Sequence, residues 1–367
     1  MLADLGATVD KIEDTGGGDY LRHMPPHVAG ESAAFHVLNR GKRSAVLDLK
    51  HPAGKAAFRR LVAGYDVLFD QFRPGVMARL GLGHAELMEA NPRLVVCALT
   101  GYGQTGPLAQ RAGHDIDYLA RAGLLGITGP AGAPPQVPGF QLADVSGGMW
   151  CVVAILGALM ERQKTGKGAL LDIAMTDGVV GFAPTALAPT LAGQPARRGD
   201  EVLTGAVAPY RTYATKDGRY VALGALEPKF WSAFCAGVGL EVDMSALMPG
   251  PHQVELQARV AAIFAGRTRD EWAAFGAARD CCLEPVLEPG ELADDALFKA
   301  RGLTFELATP RGPVPQFRTP VTPKDGTPAA PPEAGRHTRA ILREAGLSEA
   351  EVDELVAAGA ARELRSS

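Results

Sequence analysis

The chain has 367 residues, 47% of them hydrophobic and 21% charged, which suits one large or two medium domains and excludes wholesale disorder. Its formal net charge is −4, so no overall basic field draws in nucleic acid, and any polyanionic ligand must be held by a local cationic patch. The five cysteines (Cys97, Cys151, Cys235, Cys281, Cys282) are irregularly spaced and form no C-x-x-C, which argues against a disulfide framework or a zinc site and for a reducing, cytoplasmic setting.

Residues 1–13 read as a helix end, a glycine stop and a short strand. Strand-like runs at 45–49, 67–70, 94–99 and 170–174 alternate with helical stretches at 52–64 and 76–91. That alternation predicts an α/β fold built on a doubly wound parallel sheet. The apolar run from Gly147 to Met160 is too short to span a bilayer. Continued to Lys164 and closed by Thr165-Gly166-Lys167-Gly168, it reads as a buried helix, and no membrane partner is expected. Beyond Ala183 the prolines at 184, 189, 195 and 209 mark a linker. Residues 213–223 predict a hairpin around Asp217-Gly218, followed by helices at 228–239, 253–265 and 269–277. Residues 309–332 are proline-rich and read as a semi-rigid connector. The last helix, 348–358, opens on a Ser348/Glu351 capping box. No signal peptide is recognisable at the start, and Arg365-Ser366-Ser367 is not a targeting tail. The expected organisation is a large α/β domain over 1–185, a linker over 186–209, a smaller α+β domain over 210–305, and a return segment over 306–367 that completes the large domain.

Chemistry concentrates in Gly113-His114-Asp115-Ile116-Asp117-Tyr118 and, about thirty residues on, Leu142-Ala143-Asp144-Val145-Ser146-Gly147-Gly148. Glycine beside a reactive side chain lets the backbone bend sharply and a ligand approach closely. A histidine and a carboxylate on opposite faces of a carbon can take a proton from one side and return it to the other, which inverts the centre. The ordinary role of such a histidine is to cap a helix or bond in the interior. The ordinary role of Asp144 is an N-cap, which is compatible with catalysis because a helix N-terminus would keep it ionised. Glu227, before Pro228, is by default a solvated loop residue; its candidate role is to accept a hydrogen bond from an imidazole and fix its tautomer.

Arg40, Lys42 and Arg43, with Lys50, Arg73 and Arg79, could neutralise a phosphorylated ligand or form a solvated surface. Phe72-Arg73-Pro74-Gly75 is a turn that would hold Arg73 rather than leave it free. Gly16, Gly17 and Gly18 lack the G-x-G-x-x-G arrangement, and no phosphate-binding G-x-x-x-x-G-K loop or metal-binding histidine pair is present. Ser146 sits outside any G-x-S-x-G elbow.

Taken together these segments resemble the family III CoA-transferases, and within them the alpha-methylacyl-CoA racemase branch. The resemblance also runs through Leu2–Ala7, 39–50, 72–81, 99–107, 162–172, 224–230 and 335–338, in family order over nearly the whole chain. It implies an intertwined homodimer of two interlocked chains, an acyl-CoA thioester as substrate, and no tightly bound cofactor or metal, coenzyme A being part of the substrate. It makes Asp144 the shared aspartate, a covalent nucleophile in transferases and one of two acid/base groups in racemases. His114 becomes the second base and Glu227 its supporting carboxylate. Arg40, Lys42, Arg43, Leu47, Asp48, Leu49, Lys50, Arg73, Arg79, Gly113, Asp115, Ile116, Asp117 and Tyr118 fall in segments that contact coenzyme A. The amides near Gly147 and Gly148 are candidates to stabilise an enolate oxygen.

Two departures stand out. The family's strand and glycine-proline loop ahead of Leu2 are not in this sequence, which is read either as a start assigned too late or as a lost first strand, and Asp14 stands where an arginine would contact the nucleotide end. The expected activity is epimerisation at C2 of a 2-methyl-branched acyl-CoA. The alternatives are CoA transfer between carboxylic acids through Asp144, or a CoA-binding relative inactive for want of its first strand.

Overall fold

A computed structural model describes residues 1–364; Arg365, Ser366 and Ser367, and with them the expectation about the C-terminal tail, lie outside it. The chain divides into two compact units, one made of Met1–Ala112, Ser146–Met175 and the chain from Ala293 onward, the other of Gly113–Val145 and Thr176–Leu292. The sequence had placed 113–145 in the large domain, whereas these residues pack with the second unit.

In the first unit the apolar runs become strands; the central ones, Lys42–Leu47 and Val95–Thr100, are largely buried, whereas Val67–Asp70 and Leu170–Ala174 leave Phe69 and Leu170 exposed. Val9–Glu13 and Lys42–Leu47 pair in parallel, with Ala361–Arg362 antiparallel on the far edge of Lys42–Leu47. Val67–Asp70, Val95–Thr100 and Leu170–Ala174 form a second, wholly parallel sheet in that order. The α/β character is as expected, but the strands form two three-stranded sheets in place of one continuous doubly wound sheet. Leu47, Leu61, Ile341, Leu342 and Val352 pack one core; Phe58, Met77, Leu82, Leu94 and Val96 pack another.

Three predicted elements change. The helix expected over 76–91 is two, Val76–Arg79 and His84–Ala90, because Gly81 adopts φ +71° between them. Within the expected connector 309–332, Gly312–Phe317 pairs antiparallel with Thr304–Thr309; a two-stranded ribbon leaves every strand an open edge, where Pro313 and Pro315 are tolerated. The apolar helix begins earlier, at Leu142, and runs 24 residues to Thr165. By length and composition alone it could cross a membrane. It is not the buried helix expected: Met149, Val153, Leu156 and Met160 are exposed, while Cys151 and Ile155 are buried.

The second unit carries the predicted hairpin as Tyr210–Ala214 and Tyr220–Gly224, with Leu283–Pro285 on the outer edge of Tyr220–Gly224. Helices Pro228–Val238, Gln253–Phe264 and Arg269–Arg279 bury Trp231, Phe234, Phe264 and Trp272 in one aromatic core. The proline-marked linker opens with a helix, Pro184–Leu191; Pro184 starts it, where a missing N–H costs nothing.

The start of the chain is anchored by a buried carboxylate. Glu13 accepts two bonds from Arg22, at 2.9 and 2.7 Å, one from Ser44 Oγ at 2.6 Å and one from the Asp19 N–H at 3.0 Å. Burial pushes its pKa up, but these donors outweigh burial and hold it at about 2. With the folded value below the unfolded one, the stabilisation is complete above pH 4.5 and is lost as pH falls through about 2. Glu13→Ala strands the Arg22 guanidinium and should cost about 3–5 kcal/mol in urea unfolding at neutral pH, the difference from wild type shrinking as pH approaches 2.

Candidate active site

His114 stands in extended conformation (φ −124°, ψ 175°) immediately before the helix Asp115–Arg121. Each polar residue after it has a structural duty. The Asp117 carboxylate accepts the His114 N–H at 2.9 Å and closes its own helix end. The Tyr118 hydroxyl donates to the Gly113 carbonyl at 2.6 Å, tying the turn. The Asp115 carboxylate accepts the N–H groups of Ala143 at 2.6 Å and Asp144 at 3.1 Å. Those N–H groups belong to the first turn of Leu142–Thr165, which has no intrahelical acceptors for them. Asp115 thus caps a second helix through a tertiary contact. His114 remains: its side chain is exposed and, although it faces the Asp117 N–H in a capping box, makes no cap hydrogen bond of its own.

Asp144 is not the N-cap that the sequence suggested but the third residue of its helix. Its carboxylate is exposed and accepts no hydrogen bond among the described residues. Its pKa is raised, first by partial withdrawal from water and then by the Asp115 charge, with His114 pulling the other way. The expectation that the helix terminus would hold it ionised fails because Asp115 already occupies the terminal amides. The enolate-stabilising role considered for Gly147 and Gly148 fails for another reason: they lie in the second turn, where N–H groups are turned into the helix. Gly147 is glycine for packing: a Cβ there would stand 2.8 Å from Met175 and 3.2 Å from Leu99.

Asp144 and His114 are therefore electrostatic neighbours in one unit. Glu227 belongs to the same unit and precedes the helix Pro228–Val238, exposed and without a cap bond. Among the described residues no hydrogen bond or ion pair joins it to His114; its charge is felt by the Cys282 thiol. Ile116 is exposed on the histidine helix.

The basic residues sort sharply in the first unit. Arg40 is buried, bonded to Asp4, Gln316, Thr322 and the Phe317 carbonyl, and is committed to the interior. Arg43 pairs with Asp10 and Glu344. Lys42 donates to Asn39, and burial lowers its pKa to about 8. Leu47 is core, Leu49 is packed against it, and Asp48 accepts the Lys50 N–H at 2.8 Å. Lys50, Arg73 and Arg79 are exposed. The Arg73 side chain has no partner among the described residues, contrary to the expectation that the turn would hold it. Asp14 is occupied too, accepting the N–H groups of Gly16 and Gly17 at 2.6 and 3.0 Å, which accounts for the glycines.

The model of CoA-transferase family III matches residues 1–338. The chain belongs to that family. It is 38% identical to the human alpha-methylacyl-CoA racemase over 364 residues, covering 97% of this chain and 90% of that protein. It is also 30% identical to the mouse succinyl-CoA:glutarate CoA-transferase over 373 residues, covering 98% and 85%. A crystal structure of a CAIB/BAIF family protein from Brucella suis superposes with a TM-score of 0.79 at 31% identity, covering 94% of this chain and 93% of that one. The family and the racemase-like relatives named from the motifs are thereby borne out.

Sequence reasoning missed two structural carboxylates. Asp115 was read as a ligand contact, although an acidic residue two before another in a helix's first turn has no local use for both charges. Asp172, set in the apolar strand Leu170–Ala174, accepts the Gln104 N–H with both oxygens at 3.0 and 3.1 Å and ties down the loop after Thr100. A lone carboxylate in an apolar strand was the available signal.

Asp115→Asn keeps an acceptor for the two helix amides and removes the charge. Followed by carbon NMR, the Asp144 carboxyl should then titrate at lower pH than in wild type; an unmoved midpoint assigns the shift to burial alone. Because the folded value lies above the unfolded one, ionised Asp144 costs stability as pH rises through it, so Asp144→Asn should unfold no earlier than wild type at pH 7.

Proposed function

We propose that this protein epimerises C2 of a 2-methyl-branched acyl-CoA by moving a proton across a planar enolate. The observation that carries the reading is the pairing of an exposed His114 ring with an Asp144 carboxyl whose pKa is raised, each at a helix start and close enough for the imidazole to act on the carboxyl. The thioester acidifies the C2 hydrogen. One group removes it, the electron pair delocalises onto the thioester oxygen, and the conjugate acid of the other group protonates C2 from the opposite face. A raised pKa suits Asp144 to carry a proton in both directions. Glu227 is assigned to the imidazole by family resemblance alone.

Lys50, Arg73 and Arg79 are the exposed cations proposed to meet the coenzyme A phosphates. A cavity of about 630 Å³ in the second unit has a mixed lining that includes Arg197 and Glu201, and its apolar border of Ile127, Pro189, Val202 and Leu203 is the proposed place for part of an acyl chain. The exposed apolar side of Leu142–Thr165 supports a homodimer in which a second copy covers it, in place of a membrane. The unpaired cysteines support a cytoplasmic location. No bound cofactor or metal is invoked.

A second reading has its own observation: the protein also resembles a named CoA-transferase across nearly its full length, and Asp144 accepts no hydrogen bond that would blunt it as a nucleophile. In that reaction the carboxylate attacks the thioester carbonyl, the C–S bond breaks, and coenzyme A departs as thiolate, leaving the acyl group on Asp144 as a mixed anhydride. The two are separated by giving the enzyme a single C2 epimer in deuterated water with no free carboxylic acid. Epimerisation with deuterium uptake is expected; inertness until an acid is added, with hydroxylamine-trappable Asp144, transfers the assignment. His114→Ala and Asp144→Ala should each lose on the order of a hundredfold, with opposite bias between the two epimers, because each serves one face. Intact turnover in His114→Ala with none in Asp144→Ala sinks the racemase reading.

A further inference from the structure

The strands Val67–Asp70, Val95–Thr100 and Leu170–Ala174 run parallel, so their carboxyl ends share one sheet edge, where open α/β sheets take ligands. At that edge Asp70 is buried with both carboxylate oxygens in use. Oδ1 accepts the Phe72 N–H at 2.7 Å, and Oδ2 meets His84 Nε2 at 2.7 Å. An ionised carboxylate only accepts, so the hydrogen sits on Nε2. Two residues beyond Phe72, Pro74 is buried and its carbonyl accepts from the Gln110 amide at 3.0 Å. Gly75 then turns at φ +79° into the helix Val76–Arg79.

Arg73 stands between these pins. Its guanidinium is exposed and unpartnered among the described residues, and Arg79 lies alongside, its Nη1 at 3.3 Å from where a Gly75 Cβ would be. Other arginines in the same unit are committed to carboxylates: Arg22 to Glu13, Arg40 to Asp4, Arg43 to Asp10 and Arg60 to Glu351. A backbone fixed on both sides of a cation that no described residue neutralises is the arrangement of a prepared anion contact, not of a solvated surface charge.

We infer that Asp70 and His84 form a positioning dyad that aims Arg73 at a phosphate of the substrate, an inference that rests on the coenzyme A reading above. Neither residue touches substrate. The dyad holds the Phe72 amide, the peptide bond to Arg73 follows, and the guanidinium fork is presented without the entropy loss of ordering its backbone. Losing the His84 donor frees one Asp70 oxygen and loosens the turn, which weakens binding of the phosphate end and leaves proton transfer at C2 alone.

Calorimetric titration of the full chain with free coenzyme A reads this without any chemistry. His84→Ala is expected to weaken binding about tenfold, the scale of one hydrogen bond to a charged group, and to raise KM for an acyl-CoA similarly at unchanged kcat. His84→Gln keeps an N–H donor and should bind within about twofold of wild type. In an Arg73→Ala background, His84→Ala should add less than about twofold, because residues acting through one contact couple. His84→Phe keeps the ring without the donor and carries the same comparison if the alanine variant does not fold. Equal losses in both backgrounds, or glutamine as weak as alanine, overturn the dyad. A wild-type protein that binds no coenzyme A overturns the coenzyme A reading, which is a different failure from wild-type binding that the His84 variants leave intact.

Discussion

Two backbone N–H groups at the start of Leu142–Thr165 end on the carboxylate of Asp115, and the geometry around Asp144 follows from that contact. A helix start exposes donors that must be met by water, a side chain or a ligand. Meeting them with a residue next to His114 does three things at once. It fixes the two helix starts against each other, it sets a negative charge beside Asp144, and it closes the terminal amides to a substrate oxygen. Partial burial is the first cause of the raised pKa of Asp144, the Asp115 charge adds to it, and the imidazole offsets part of it. The motif Gly113–Tyr118 is therefore best understood as a scaffold of three tied polar groups that leaves one ring untied.

The first unit distributes its charge by a parallel logic. Buried guanidiniums carry a full set of acceptors: Arg22 lies between Glu13, Glu31 and the Pro332 carbonyl, and Arg40 between Asp4, Gln316 and Thr322. A buried charge lacking such partners would cost several kcal/mol. Exposed cations meet no such requirement, and those at the sheet edge after Val67–Asp70 are left unpaired. Sequence clustering could not separate the two kinds, because Arg40 and Arg43 are adjacent to Lys42 in the chain yet end in different environments.

Much of the fold was legible because it rests on local rules. The strands over 67–70 and 170–174 appear with the expected bounds, and the Ser348/Glu351 capping box opens its helix as read. Errors arose where a non-local partner decided the outcome. The start of the aspartate helix was read five residues late because its cap, Asp115, comes from another helix and leaves no sequence signal at Leu142. The ribbon over Gly312–Phe317 was hidden by prolines that a two-stranded edge tolerates. The apolar helix was read as buried since composition cannot tell a core helix from one whose apolar side faces outward. In the candidate site, the types and spacing of His114 and Asp144 were legible, but the sign of the Asp144 shift was not: it comes from burial first and from the charge of Asp115 second, and both are set by tertiary packing.

That sign bears on chemistry. A carboxylate held low by helix amides is a weak base, and proton abstraction next to a thioester needs a stronger one. By assigning the amides to Asp115, the fold gives up a stabilised anion at Asp144 and gains a carboxyl of raised pKa beside an exposed histidine. Reversible transfer across one carbon works best when the two carriers are matched, since neither direction then faces a proton held too tightly. A nucleophilic role asks only that Asp144 be ionised and reachable, and it has no use for an exposed, untied imidazole at the neighbouring helix start. The conjunction of the two residues, more than either alone, is what favours proton transfer over acyl transfer as the reaction of this site.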